Sequence, residues 1–277
     1  MACIGSQYAI LRGALLEYHR APPRELGPLT ERVEAALAFA RPLSEAELMA
    51  ANEIPQCAVV WGGKGFASGV YIGGGSVVTA QHVCAAFPPA NVSLDIADAA
   101  GRFGKATAVR CQIPAPDPLA YDVMVLKIDP GAVSGLPCIP LATPAEFAAL
   151  SAAGADVMVV GFGCGWPPGH PEQAAMGLKR KIIVPVVPGQ GAGIIGFDPN
   201  LQFVVGDTGA SAPYHAVCTS DSGGPVFATL DGNVKLIGVV HASGSPLGAT
   251  PDGCGISPYS VATRVDARRD WILRASC

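Results

Sequence analysis

Charge is the first thing this sequence lacks. Only 14% of its 277 residues are Asp, Glu, Lys or Arg, against roughly a quarter in an average globular protein. Half of the chain is apolar, which excludes a disordered, solvating polymer. Basic clusters are equally scarce. Lys179-Arg180-Lys181 is the one tight group, reads as a solvated strand edge, and the net charge is −4. Binding to nucleic acid or to a membrane surface is therefore not expected. No run is fit to span a bilayer, because the longest stretch without a charged residue, 65–94, is broken by Gly73-Gly74-Gly75, His82 and Pro88-Pro89. CxxC and HxxxH spacings are absent, so no structural metal and no cofactor is expected. The first residues also lack a basic region followed by an apolar core, the mark of a Sec-type signal. That points to a cytoplasmic protein. Nine cysteines would suit a secreted or periplasmic one if they pair.

Turn formers, by contrast, are abundant. Gly and Pro number 34 and 25, about a fifth of the chain, and they punctuate short Val/Ile-rich runs. This favours an all-β architecture. The composition changes once. Residues 1–53 read as a helical extension: Ile10, Leu11, Ala14, Leu15 and Tyr18 share a helical face, and so do Val33, Ala36, Leu37 and Ala40. Ser44-x-x-Glu47 has the form of a capping box before Leu48-Met49. From Ile54 onward short strands dominate, among them 58–61, 69–72, 76–79, 123–126, 157–160, 182–184, 203–205, 225–227 and 236–240. One helix is expected at Thr143-Pro144-Ala145-Glu146, and another around Trp271-Ile272.

Three segments carry chemistry. Thr79-Ala80-Gln81-His82 ends a strand in a histidine, Asp122 enters an apolar strand, and Asp221-Ser222-Gly223-Gly224-Pro225 sets a serine in a glycine-rich turn. A serine hydroxyl is protonated at neutral pH and needs a base to become a nucleophile. An imidazole can take that proton and return it to a leaving amine. A carboxylate fixes the tautomer of that base and stabilises its cation.

Taken together, these strings resemble the chymotrypsin/trypsin-like serine proteases. The order His82, Asp122, Ser222 is that family's order, and the orders of subtilisins and α/β-hydrolases do not fit. Gly161-Phe162-Gly163, Val184-Pro185-Val186-Val187 and Thr263-Arg264-Val265…Trp271-Ile272 extend the resemblance over about residues 54–277. It implies two packed antiparallel six-stranded β-barrels, at about 54–142 and 155–265, then a C-terminal helix over 266–277. The implied activity is serine endopeptidase action on protein or peptide substrates. His82, Asp122 and Ser222 would be catalytic, and the N–H groups of Ser220 and Ser222 would form the oxyanion hole. The alternative is a catalytically silent relative that binds a partner through its cleft or its N-terminal helices.

Departures from the family pattern sharpen these expectations. Ser220 stands where a glycine is usual. The implied specificity pocket comprises Ala216, Val217, His241, Ala242, Ser243 and Ser260. With Ala216 at its base no carboxylate pairs a substrate cation, so selectivity for Arg or Lys is not expected; small, apolar or acidic residues are. His241 would either read an acidic substrate or bond Asp122 or a backbone carbonyl. The family's pocket disulfide maps onto Cys218 and Cys254. Near His82 the family has another, for which Cys84 lies one residue off; Ser68 occupies the partner's usual place and Cys57 is the nearest candidate. Asp221 matches the acid that pairs with a newly cut N-terminus, yet no Arg-Ile-Val-Gly-Gly string occurs. Asp221 therefore needs another partner, or the 1–53 extension regulates, docks a protein partner or braces the barrel.

Overall fold

The computed structural model describes residues 47–49, 53–62, 65–84, 88–97, 103–112, 121–133, 135–163, 179–188, 197–206, 221–244 and 259–276. Strand β1 is Glu47–Leu48. Six strands follow: β2 (Cys57–Gly62), β3 (Gly65–Gly73), β4 (Ser76–Thr79), β5 (Val92–Ala97), β6 (Phe103–Gln112) and β7 (Met124–Ile128). They close into a barrel in the order β2-β3-β4-β7-β6-β5. A second set comprises β8 (Asp156–Gly161), β9 (Arg180–Val187), β10 (Gln202–Gly206), β11 (Pro225–Leu230), β12 (Asn233–Gly244) and β13 (Tyr259–Arg264). These run β9-β10-β13-β12-β11-β8, and β8 pairs back onto β9. All barrel pairings are antiparallel. Two closed six-stranded barrels result, as expected.

Each barrel has its own apolar filling. Val60, Leu94 and Leu126 belong to the first, and Val184, Phe203 and Ile237 to the second. A third cluster draws on both, with Val59, Val70 and Val123 from one and Phe162, Phe227 and Val239 from the other. This shared core fixes the barrels against each other, so residues at their facing ends are held in register. Helix α1 (Gln81–Cys84) leaves the end of β4. Helix α2 (Pro144–Ala153) starts at Thr143, where a helix is expected, with a capping box to Glu146, and ends on Gly154 in the left-handed conformation. Its Phe147 and Leu150 sink into the second barrel's core.

Helix α3 (Arg269–Ser276) ties the two halves. Ile272 is buried in the shared cluster. At the helix end Lys127 donates to Ser276 O at 2.5 Å, and Ser76 donates to the same carbonyl at 3.2 Å. A cation at a helix C-terminus is favourable because it meets the negative end of the dipole.

The N-terminal boundary differs from the sequence expectation. Glu47 and Leu48 form a strand, opposite Lys181 and Arg180 of β9, and Met49 donates to Lys179 O at 3.0 Å. Met49 itself is fully buried in the shared core. Glu47, the last residue of the Ser-x-x-Glu string, thus opens a strand rather than a helix, because edge pairing on β9 and burial of Met49 outweigh a local cap. The two helices expected before residue 41 lie outside the described residues.

Candidate active site

Asp122 sits just before β7 with its carboxylate wholly buried. Three donors converge on it. The backbone N–H of His82 reaches Oδ1 at 2.8 Å, His82 Nδ1 reaches Oδ2 at 2.5 Å, and His241 Nδ1 reaches the same Oδ2 at 2.7 Å. Burial by itself would raise this carboxyl, but the hydrogen bonds from His241 and His82 hold it down to about 2. It is therefore ionised at neutral pH and can only accept. Both imidazoles must then carry their protons on Nδ1, which leaves each neutral ring with its lone pair on Nε2. His82 is the more open ring, with 43% of its side chain exposed against 20% for His241.

Ser222 occupies a tight turn anchored on both sides. Its carbonyl accepts from Ser68 N at 2.9 Å. Gly223 N donates to Val240 O and Gly224 N to Asp221 O, each at 2.8 Å. Gly223 has φ +81°, and a Cβ there would lie 2.1 Å from Thr79 Oγ1 and 2.9 Å from Ala80 N. Glycine is required on both counts. That close approach seats the serine turn directly against the end of β4, two residues before His82.

Asp221 is directed away from this cleft. Its Oδ1 accepts from Gly163 N at 2.7 Å, and a Cβ on Gly161 would come within 2.0 Å of the same oxygen. The Gly-Phe-Gly segment is thus what lets the carboxylate in.

One potential ligand atom from each of His82, Asp122 and His241 lies within 4.8 Å of the other two. Ligand atoms around a tetrahedral zinc ion stand about 3.3 Å apart. Separations of 2.5 and 2.7 Å are hydrogen-bond lengths, so the cluster is built around protons.

The profile of one protein family, Trypsin, matches residues 47–272. The chain belongs to the trypsin family. Members are peptide-bond hydrolases acting on proteins or peptides, and the match begins at the first residue of β1. No curated protein matches the chain by sequence.

Measured against the trypsin-family expectations, the structure brings together His82, Asp122 and His241, with the Ser222 turn beside them. Of the two roles open to His241, it takes the bond to Asp122. In the backbone register of β12 on β13, Ser243 pairs with Ser260 and Ala242 with Val261. Ala216, Val217, Cys218, Ser220 and Cys254 lie outside the described residues. Cys57 is a free, buried thiol in the shared core, whereas Cys84 packs inside the first barrel, so the two are not joined. Burial pushes the Cys57 thiol up to about 11.

Sequence reasoning missed the importance of Ser68. This wholly buried residue receives Thr79 Oγ1 on its carbonyl at 2.7 Å. It donates its N–H to Ser222 O and accepts Phe162 N on its hydroxyl at 3.0 Å. One residue of β3 therefore ties the His82 strand, the serine turn and the Gly-Phe-Gly segment together. The only signal for it was its place where the family keeps a cysteine; hydrogen bonds do the joining here.

Proposed function

We propose that this trypsin-family protein is a serine endopeptidase in which Ser222 is the nucleophile, His82 the general base and Asp122 the orienting acid. The observation that carries this reading is the double engagement of His82 by Asp122, through both its backbone N–H and its ring, beside the Ser222 turn. Asp122 accepts the Nδ1 proton, so the neutral ring presents its Nε2 lone pair as base. Ser222 Oγ attacks the peptide carbonyl while its proton passes to His82. The tetrahedral oxyanion is received by the N–H groups of Ser220 and Ser222. His82 then protonates the leaving amine, and water resolves the acyl-enzyme by the same steps.

Selectivity follows from what the pocket residues offer. Ala216 supplies no charge to a substrate Lys or Arg, whose burial without a partner is costly. His241 already spends its Nδ1 proton on Asp122, which weakens the case for an acidic substrate residue. Cleavage after small or apolar residues is the better reading. For the N-terminal segment we propose a regulatory or docking role confined to residues 1–46, since Glu47–Met49 are built into the second barrel.

A fluorophosphonate probe tests the assignment. Intact protein should be labelled on Ser222, and Ser222→Ala and His82→Ala should abolish labelling. A folded protein that resists the probe at every pH would leave the silent, partner-binding reading in its place.

A further inference from the structure

Two imidazoles share one carboxylate oxygen in this cleft, and the second of them has a distinct structural cause. Strand β12 pairs with β13 in register up to Val240 and again from Ala242, with an irregularity between them. His241 is the extra residue. A bulge of this kind turns a side chain out of the regular alternation and re-aims it. Here it aims His241 at Asp122 Oδ2, 2.7 Å away. The two rings stand nearly perpendicular, with centroids 6.1 Å apart. The residue before the bulge is also fixed, because Val240 exchanges hydrogen bonds with Gly223 and Gly224. His241, Asp122, His82 and the serine turn thus form one connected unit.

We propose that His241 is a positioning residue for the His82 base, and that it lowers the proton affinity of His82 by taking part of the Asp122 charge for itself. This rests on the catalytic reading above. A carboxylate that already holds a second N–H donor stabilises the His82 cation less well than one devoted to it. When His241 is itself protonated, the two cations would face a single anion, so the pair takes up its first proton as a coupled unit and resists the second. No other acid intervenes among the described residues. Asp221 is turned to Gly163 N, and β13 offers the hydroxyl residues Ser260 and Thr263, the latter donating to Asp122 O at 3.5 Å. The effect on function has a definite sign: His241 keeps His82 neutral, and hence basic, to lower pH than Asp122 alone would allow.

Histidine-labelled full-length protein gives the test. In the wild type two low-field imidazole N–H resonances are expected, one lost in His82→Ala and the other in His241→Ser. The His82 ring titration, followed by NMR, should move to higher pH by at least half a unit in His241→Ser and in His241→Gln, neither of which can titrate. If the wild type hydrolyses peptides, the acid limb of kcat/KM should move with it. An unmoved His82 titration in folded variants overturns the proposal, and so does a single low-field resonance in the wild type. Shifted titration in a protein that no fluorophosphonate labels would overturn the catalytic reading and leave the coupling standing.

Discussion

Asp122 and Lys179 are both buried charges, and the protein treats them in opposite ways. Asp122 is surrounded by groups that can themselves gain a proton, His82 and His241. Lys179, fully buried at the start of β9, donates to the backbone carbonyls of Glu53 and Ile54. Those dipoles have a fixed charge. The first arrangement can pass protons among its members, and the second ties the entering chain to the start of the second barrel. Buried charge alone therefore does not mark a site. What marks the cleft is a buried carboxylate that holds two imidazoles.

The largest expected effect breaks the Asp122 end of this comparison. Asp122→Asn removes the acceptor that fixes both ring tautomers and should lower kcat by about four orders of magnitude, with KM little changed. Hydrolysis of a peptide library by the purified variant measures this. Acid stability gives a second reading. Asp122 is held at about 2, against an ordinary value of 3.8, so its stabilisation is complete above about pH 4 and is lost as pH falls through 2. Wild type should lose about 2 kcal/mol more across that window than the variant, as read by denaturant melts at pH 4 and pH 2.

Next in size is the Lys179 end. Lys179→Met leaves two buried carbonyls without their donor and should cost about 2–4 kcal/mol of stability. Activity per folded molecule and the shape of its pH profile should stay as they were. Burial lowers the Lys179 ammonium from its ordinary 10.5, so between its folded value and 10.5 the unfolded chain binds the extra proton. Wild-type stability therefore gains a contribution as pH rises through that window, and the variant lacks it. A changed pH–rate profile in Lys179→Met would erase the distinction drawn between the two charges.

How much of this was legible in the sequence follows from where each signal lies. His82, Asp122 and Ser222 stand in local strings dictated by their own chemistry, and β4 was read residue for residue. Strand β5 was missed because Val92-Ser93-Leu94-Asp95-Ile96-Ala97 alternates buried and half-open residues and holds no continuous apolar run. Strand β6 is built largely of Gly, Ala, Thr and charged residues, whose β character comes from pairing with both β5 and β7. Residues 47–49 were misread because a local cap pattern was present while the partner that overrides it, β9, lies far along the chain. His241 could be placed near the site, but the bulge that aims it belongs to the pairing of two strands.

A middle-sized effect is expected at Ser68, the tie between the barrels. Ser68→Ala leaves the buried Phe162 N–H without its acceptor, which should cost about 1–3 kcal/mol. Its carbonyl and N–H still hold Thr79 and Ser222, so fluorophosphonate labelling should slow rather than vanish. Parallel melts and labelling rates measure both. Loss of all labelling in a folded variant would make the side chain, rather than the backbone, the element that assembles the cleft.

The smallest effect sharpens the comparison with a third carboxylate. Glu146 is also held down to about 2, against an ordinary 4.5, chiefly by the Lys235 ammonium and then by Thr143. Its contacts are short, with Lys235 Nζ at 2.5 Å and Thr143 N at 2.8 Å. Yet this group lies at the surface, where water and salt screen the ion pair. Its stabilisation is present above about pH 4.5 and fades as pH falls through 2, the same sign as Asp122. Glu146→Gln should therefore lower stability at pH 7 only slightly, since the amide oxygen can still accept from Thr143 N and keep the cap of α2. Added salt should shrink even that difference, whereas the Asp122→Asn difference should persist because the Asp122 carboxylate itself is wholly buried. Melts of both variants in low and high salt separate the two carboxylates, and equal salt sensitivity would mean that burial does not distinguish them.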